Sequence, residues 1–339
     1  MGSILEWNFM ADSILVVVEQ QQGKLNRVSF ETIAAAQSIA KDTGWQVEIA
    51  VLGSGLDAIA QELATRQAAR VYAIESPQLA VYTSDAYVYV LKQFLSGKRP
   101  RLVLMPHTYQ VRDFAPSLAL ALGKTVVPDA VGYKYENGKL LFTRQMFQGK
   151  FAADVSFTDE GDLWMATFQN SAFRGDQAEA GNAPIETVNL NVPDGVVRVQ
   201  AHEIFKEAKQ AVDLSQSEVI VAVGRGIREQ KNLAMAEELA QLLGGDIAAS
   251  RPICDSGWLP LDRQIGSSGQ TIAPKLYIGL GISGAIQHIV GMKGSRTIIA
   301  INKDAEAPIF EIADVGVVAN LFDIVPPLIE EIKKAKAGA

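Results

Sequence analysis

The stretch LYIGLGISGAIQHIVGMKGSRTIIAIN, residues 276–302, decides how the second half of the chain folds. It opens with an apolar run that predicts a strand buried on both faces, and residues 297–301 predict a second strand of the same kind. A glycine-rich turn lies between them, and Ser283 stands where a helix is predicted to begin. The free N–H groups at a helix start favour a phosphate. The stretch therefore predicts half of a nucleotide site.

Three glycines, Gly279, Gly281 and Gly284, form the pattern G-x-G-x-x-G between this strand and the predicted helix. The position is that of a dinucleotide-binding turn, although a lone match of this kind is weak evidence. A nicotinamide-binding unit would end its next strand with Asp or Glu to hold the ribose hydroxyls, whereas this strand is followed by Asn302. The glycines alone leave open a nicotinamide-dependent oxidoreductase, a protein that binds another nucleotide, and a structural domain with a decayed site.

The residues Ala285-Ile286-Gln287-His288 place a polar pair within about one helical turn of the predicted phosphate-binding end. The whole run consists of a strand, G-I-S-G-x-I-Q-H, a glycine three residues on, and a strand ending A-I-N. It resembles the signature of the electron-transfer flavoprotein alpha subunit. The resemblance is close over residues 219–334 and moderate before Pro193, and it implies that His288 faces a flavin.

The composition fits a globular protein of two domains. The 339 residues exceed the usual size of about 100 to 200 residues per domain. No stretch is apolar enough to span a bilayer. With 31 Lys and Arg against 38 Asp and Glu, the net charge of -7 argues against nucleic acid or an anionic membrane as the main partner.

The cysteine and histidine content predicts no metal site. Cys254 is the only cysteine, which excludes an internal disulfide or a thiolate metal cluster, and its neighbours predict an inert packed thiol. The three histidines, His107, His202 and His288, lie too far apart for a sequence-local metal site. The cysteine usage also indicates a reducing compartment.

The first half of the chain alternates apolar runs with helical patterns. Strands are predicted at residues 14–18, 46–52, 71–74 and 102–105. Helices are predicted at residues 32–41, 56–64, 84–95 and 115–122. This rhythm predicts a parallel doubly wound sheet.

The later part of this half is predicted to be different. Three runs, at residues 139–143, 151–157 and 163–167, predict late antiparallel strands. Residues 176–201 are rich in Gly, Asn, Pro and Glu, which predicts a segment crossing between domains and no core element. His107 follows a strand end, where open α/β sheets bind ligands, but a scaffold role is the preferred interpretation. Residues 1–11 lack the features of a secretory signal and are excluded from the fold prediction.

A second alternation begins at Val219. Strands are predicted at residues 219–223, 247–249, 276–278, 297–301 and 315–319, with longer helices at 232–243 and 321–334. The predicted fold is therefore α/β, with two doubly wound Rossmann-like domains of mainly parallel sheets. The N-terminal domain covers residues 12–193, a connecting segment 194–217, and the C-terminal domain 218–336. The resemblance implies that the first domain packs on a beta subunit and that the second binds FAD.

The resemblance implies roles for several residues of the second domain. Ser250 and Arg251 resemble the family's Ser-Arg pair, in which the serine contacts FAD and the guanidinium lies against the isoalloxazine ring. Ser268 matches the hydroxyl residue that donates toward flavin N5, while Ser267 replaces the usual Gln. Asn320 replaces the usual Asp near the adenine. The predicted FAD-binding residues are Arg225, Ser250, Arg251, Arg263, Gln264, Ile265, Gly266, Ser267, Ser268, Gly269, Ser283, Gly284, Ala285, Ile286, Gln287, His288, Asn302, Asn320 and Leu321.

The function implied by the resemblance is that of an electron carrier and not of an enzyme. A heterodimer with a beta subunit would hold one FAD in this chain and a second FAD or AMP in the beta subunit. Electrons would come from flavoprotein dehydrogenases such as acyl-CoA dehydrogenase and pass to a quinone oxidoreductase or ferredoxin. Arg263 resembles an arginine of the electron-bifurcating branch. A cytoplasmic location is expected in a bacterium or archaeon, and the mitochondrial matrix in a eukaryote.

Overall fold

The computed structural model describes residues 12–147, 150–158, 163–199 and 213–337. The chain divides into two compact units, Met1–Phe205 and Lys206–Ala339, and each contains its own parallel-dominated sheet. The excluded residues 1–11, and residues 200–212 of the expected connecting segment, lie outside the described residues. The domain bounds 12–193, 194–217 and 218–336 therefore stay a prediction. The fold class, two α/β domains with mainly parallel sheets, is confirmed.

The first unit is built on a nine-stranded sheet among the described residues. Its strands are β1 (Ser13–Val18), β2 (Gln46–Gly53), β3 (Arg70–Glu75), β4 (Leu102–Pro106), β5 (Val126–Glu136), β6 (Lys139–Met146), β7 (Phe151–Val155), β8 (Trp164–Phe168) and β9 (Ile185–Asn189). The spatial order is β9-β3-β2-β1-β4-β8-β5-β6-β7. Only the pairs β5–β6 and β6–β7 are antiparallel in this sheet.

Helices cover both faces of this sheet. They are α1 (Val28–Thr43), α2 (Asp57–Ala64), α3 (Ser84–Lys98) and α4 (Tyr109–Leu122). The central strand β1 shows why two layers are needed, since all six of its residues are buried. Ile14, Val16 and Val18 pack in the core with α1 and α2, and Leu15 and Val17 pack in the core with α3 and α4. Because side chains alternate between the two faces of a strand, β1 contributes residues to two separate cores.

Two expectations for the first unit are wrong. The strand expected at 163–167 is not antiparallel, because β8 lies parallel between β4 and β5. Residues 176–201 do contain a core element, since β9 adds to β3 in parallel and Val188 is buried. An apolar run shows that a strand exists, but its direction depends on a partner that lies far away in the sequence.

The carboxyl edge of the first sheet is occupied by its own side chains. The carboxylate of Glu19, which follows β1, accepts hydrogen bonds from Asn26 Nδ2 at 3.0 Å and from the Thr108 hydroxyl. His107 Nδ1 lies 2.8 Å from Thr167 Oγ1, and burial lowers the pKa of His107. These contacts support the scaffold interpretation of His107.

The second unit is built on a five-stranded sheet whose neighbouring strands are all parallel. Its strands are β10 (Val219–Val223), β11 (Asp246–Ala249), β12 (Leu276–Leu280), β13 (Ile298–Asn302) and β14 (Val315–Val318), in the order β11-β10-β12-β13-β14. Its helices are α5 (Leu233–Leu242), α6 (Arg251–Asp255), α7 (Ile286–Ile289) and α8 (Leu321–Ala337). Helices α5 and α8 pack on one face in a single core. No helix of the described residues is long and apolar enough to cross a membrane.

A buried ion pair lies inside the first unit, between Glu48 on β2 and Lys98 at the end of α3. Glu48 Oε1 is 2.8 Å from Lys98 Nζ and accepts from the Tyr72 hydroxyl at 3.0 Å. The Lys98 ammonium also lies 5.0 Å from the centre of the Tyr72 ring. Both charged side chains are almost fully buried, so each depends on the other for compensation of its charge.

Replacing Lys98 by Met should destabilise the first unit by roughly 3–5 kcal/mol, because it leaves the Glu48 carboxylate buried without its cation. Thermal or denaturant unfolding measures the change. The double variant Glu48→Gln/Lys98→Met should recover much of the loss. As a control, Lys41→Met breaks the exposed pair Lys41–Glu179 and should cost less than about 1 kcal/mol. Equal stability of the two single Lys→Met variants would contradict the prediction.

Candidate functional site

The carboxyl ends of the five parallel strands bring polar residues to one edge of the second sheet. Each strand is followed within a few residues by at least one side chain that the sequence predicts at the site. These side chains are Arg225 after β10, Ser250 and Arg251 after β11, Ser283 after β12, Asn302 at the end of β13, and Asn320 after β14. Open α/β sheets bind ligands at this edge, beside the point where the strand order reverses. Here that point lies between β10 and β12.

The turns after β10 and β12 touch each other at this point through glycines. Gly226 N donates to Gly281 O at 3.1 Å, and a Cβ on Gly226 would lie 2.6 Å from Gly281 Cα. A Cβ on Gly224 would lie 2.4 Å from Gly281 O. The glycines of the Gly224-Arg225-Gly226 turn therefore allow the close approach of another backbone segment. Gly279, expected in the glycine turn, lies within β12 instead.

The helix after β12 begins later than expected. Helix α7 starts at Ile286 and has four residues, so the expected helix start at Ser283 is wrong. The physical reason is Gly284, whose φ of 84° is incompatible with a helix and whose backbone packs tightly on Ile309. Ser283 is exposed, with its carbonyl held by Ile309 N at 3.1 Å. Its hydroxyl remains available to a ligand, but so short a helix adds little dipole.

The loop of residues 263–270 contacts both the end of β11 and helix α7. Ile265 N donates to Ala249 O at 2.9 Å, which extends the pairing beyond β11. Ser267 N donates to Gln287 O at 2.8 Å, and a Cβ on Gly266 would lie 2.6 Å from the same oxygen. Two segments that are about twenty residues apart in sequence, and that the sequence assigns to one site, are thus in direct contact.

The predicted residues differ widely in exposure. The exposed ones, which can meet a ligand, are Arg225, Arg251, Ser267, Ser268, Gly269, Ser283, Ala285, Ile286 and Gln287. The half-buried ones are Ser250, Arg263, Asn302 and Asn320. The buried ones are Gln264, Ile265, Gly266, Gly284, His288 and Leu321. The predicted set therefore contains exposed residues that can contact a ligand and buried residues that support them.

The three arginines of the prediction have different surroundings. Arg251 is 67% exposed, and its ion pairing with the described residues is limited to a solvated pair with Asp255, with 3.4 Å between Nε and Oδ2. Arg225 is exposed and forms no ion pair within the described part of the chain. Arg263, by contrast, donates through Nη1 to Ile247 O at 2.9 Å and is 16% exposed. Arg225 and Arg251 are therefore the cations that remain available to an anionic ligand.

The two asparagines at the far side of the edge are partly engaged. Asn302 Nδ2 donates to Ile282 O at 2.9 Å, and its Oδ1 accepts from Asp304 N at 3.0 Å. Asn302 therefore supports the turn after β12 with its own amide. Asn320 Nδ2 lies 3.3 Å from Asp323 Oδ2, in the first turn of α8.

His288 is buried and faces the protein. Its Nε2 lies 2.7 Å from the hydroxyl of Tyr277, a fully buried residue of β12, and its Nδ1 has no hydrogen bond of normal geometry to any residue that the structure describes. Burial lowers the pKa of His288 to about 4, and the Ile265 backbone opposes this only in part. In this conformation neither nitrogen reaches the exposed edge, so the flavin-facing role stays a prediction.

Tyr277, the partner of His288, is not among the residues that the sequence predicts at the site. A signal was present, since Tyr277 is the only side chain with a polar group in the buried strand LYIGL. Such a group needs a hydrogen-bond partner when it is buried.

No cluster of three or more metal-ligating side chains exists among the described residues.

His288 should stay neutral far below the pH at which an ordinary histidine, with a pKa near 6.5, becomes protonated. Among the three imidazoles, NMR titration should show one with an apparent pKa of about 4, absent from His288→Gln. Because this pKa lies below the unfolded value, the unfolded chain binds more protons between pH 6.5 and 4. The free energy of unfolding should therefore decrease as the pH is lowered from 6.5 to 4, and it should decrease less steeply in His288→Gln. A His288 pKa near 6.5 would contradict the burial shown here.

Comparison with known proteins gives matches over nearly the whole chain. A family model described as "Electron transfer flavoprotein domain" matches residues 14–193, and one described as "Electron transfer flavoprotein FAD-binding domain" matches residues 213–293. The chain is 37% identical to "Electron transfer flavoprotein subunit alpha" of Bacillus subtilis, over 96% of this chain and 98% of that protein. It is 35% identical to "Protein FixB" of Clostridium saccharobutylicum, over 95% and 96%.

A third relative is "Lactate dehydrogenase (NAD(+),ferredoxin) subunit LctC" of Acetobacterium woodii. It is 34% identical, over 94% of this chain and 77% of that protein. These matches confirm the resemblance given by the sequence motifs and favour an electron-carrier subunit over a nicotinamide-dependent oxidoreductase. The chain belongs to the alpha subunits of the electron-transfer flavoprotein family.

Proposed function

We propose that this chain binds one FAD at the carboxyl edge of its second sheet and carries electrons as the alpha subunit of a heterodimer. The observation that supports this best is the convergence of exposed cations and hydroxyls from separate loops at that edge. The match of residues 213–293 to a FAD-binding family model supports the same ligand.

The donor set suits the chemical groups of FAD. A diphosphate needs positive charge and hydrogen-bond donors, and Arg225 and the Ser283 hydroxyl offer both at the exposed edge. An isoalloxazine ring has a flat face and polar ring atoms, which suit the planar guanidinium of Arg251 and the hydroxyl of Ser268. Asn320 offers an amide to the adenine side. We assign these residues to the corresponding parts of the cofactor.

Bound FAD supplies the capacity to accept and release electrons, and the protein sets the potential at which this occurs. Arg251 contributes a fixed positive charge, because its guanidinium is never deprotonated. Ser268 contributes a hydrogen-bond donor from the exposed tip of the 263–270 loop. Both favour negative charge on the group they contact.

The charge of Arg251 gives a direct prediction. Arg251→Ala should lower the two-electron potential of bound FAD by roughly 30–60 mV. A hydrogen bond to a charged group contributes about 1.5–3 kcal/mol, and 30 mV corresponds to about 1.4 kcal/mol for two electrons. A potentiometric titration measures it. Arg251→Lys keeps the charge and should lose less. An unchanged potential in Arg251→Ala, with FAD still bound, would contradict the assigned role.

The partner is proposed to be a beta subunit, which is supported by the naming of relatives as subunits. We expect flavoprotein dehydrogenases, such as acyl-CoA dehydrogenase, to supply electrons, and a quinone oxidoreductase or ferredoxin to accept them. A cytoplasmic location, or the matrix in a eukaryote, stays a prediction.

Electron bifurcation is a second candidate function. It is supported by the relative LctC, whose name includes both NAD(+) and ferredoxin, and by the presence of Arg263. The surroundings of Arg263 limit this support, because its guanidinium is held by Ile247 O and lies 3.5 Å from Asp246 Oδ1. Its charge is thus partly compensated at the edge strand β11.

Purification with a co-expressed beta subunit tests the proposal by counting nucleotides per heterodimer. Visible flavin absorption and one FAD bound to this chain are expected. A second FAD in the beta subunit would support bifurcation, whereas AMP there would indicate an ordinary carrier. We expect the chain expressed alone to be poorly stable. A colourless heterodimer that takes up no FAD would overturn the proposed function.

A further inference from the structure

Gln264 is a buried polar residue beneath an exposed loop tip. Its side chain is 4% exposed, although Ser267, Ser268 and Gly269 immediately after it are exposed. Gln264 Nε2 donates a hydrogen bond to Ser268 Oγ at 3.0 Å. The sequence predicts Gln264 among the FAD-binding residues, and the structure places its side chain beneath the loop tip, in contact with the exposed Ser268.

The backbone around Gln264 holds the side chain in place. Gln264 O accepts from Gln270 N at 2.7 Å, and Gln264 N donates to Leu261 O at 3.1 Å. Gly269 packs on it so closely that a Cβ there would lie 2.4 Å from Gln264 O and 3.0 Å from Gln264 Cγ. The amide therefore has little freedom to turn away from Ser268.

The direction of this hydrogen bond determines what Ser268 can do. An amide N–H only donates, so Ser268 Oγ is the acceptor and its single hydrogen remains free. A serine hydroxyl otherwise rotates to suit its surroundings. Here one lone pair of Oγ is fixed toward the interior, which leaves the hydrogen to point away from Gln264 toward the exposed side. A hydroxyl that accepts a hydrogen bond is polarised by it and donates its own hydrogen more strongly.

We propose that Gln264 is a positioning residue that presents the Ser268 hydroxyl as a hydrogen-bond donor to the flavin. The inference rests on the proposed function, in which Ser268 contacts bound FAD. Gln264 acts through Ser268 and not by its own contact. The donated hydrogen favours the negative charge that arrives with the first electron.

A double-variant cycle in the heterodimer tests the inference through the potential of the first electron and the affinity for FAD. Gln264→Met keeps a similar length but donates nothing. It should lower the equilibrium constant for uptake of the first electron by about fivefold, which is within the range that one neutral hydrogen bond gives. That is about 40 mV, at 59 mV per tenfold for one electron. In the Ser268→Ala background, Gln264→Met should cause no further change.

The loop also offers a matched control. Gln270 has the same side chain, but its amide is directed at backbone groups: its Oε1 accepts from Leu214 N at 3.0 Å and its Nε2 donates to Asp262 O. Gln270→Met should leave the potential of the first electron unchanged. If Gln264→Met fails to retain FAD, Gln264→Leu serves instead, because it is shorter, likewise donates no hydrogen bond, and should shift the potential in the same direction.

The outcomes separate the two proposals. If the wild-type heterodimer binds no FAD, the proposed function fails. If FAD binds and Ser268→Ala shifts the potential while Gln264→Met does not, the positioning role is overturned and the proposed function stands. Additive effects of the two substitutions, or an equal shift in Gln270→Met, would also overturn it, because they would indicate general disturbance of the loop.

Discussion

The candidate site depends on the close contact between two glycine turns. Gly224 and Gly226 after β10 meet Gly281 after β12, with no room for a Cβ at either glycine of the first turn. This contact fixes the ends of the two strands beside which the strand order reverses. Every other loop of the site leaves the sheet at the same edge, because all neighbouring strands are parallel. Larger residues at these glycines would push the two turns apart.

The residues of the site divide into those that can meet a ligand and those that hold them. The cations Arg225 and Arg251 and the hydroxyls of Ser268 and Ser283 lie outside. Beneath them, buried polar groups such as Gln264 pair with their neighbours. Such groups are costly to bury unless they are hydrogen-bonded, so each fixes a definite arrangement of the loops above it.

The two units use similar sheets in different ways. In the first, a buried carboxylate, Glu19, follows the central strand β1 and accepts from Asn26 and Thr108. A carboxylate there also disfavours a phosphate. In the second, cations and hydroxyls at the corresponding edge stay exposed. The parallel sheet thus provides a place for a site, and the side chains decide whether it is available.

The sequence by itself predicted most of the strands and the longer helices of both units, though not β5 or β9, and it predicted the parallel second sheet and the polar side chains that follow its strands. It could do so because buried strands such as β10 and β12 are continuous apolar runs, and because parallel strands end at a common edge. The tertiary structure alone decided the direction of β8, the pairing of β9 and the start of α7 at Ile286. It also decided which polar groups meet, as with Tyr277 and His288 or Gln264 and Ser268. These features depend on contacts between segments and on the exact path of a turn, which no local pattern of residues specifies.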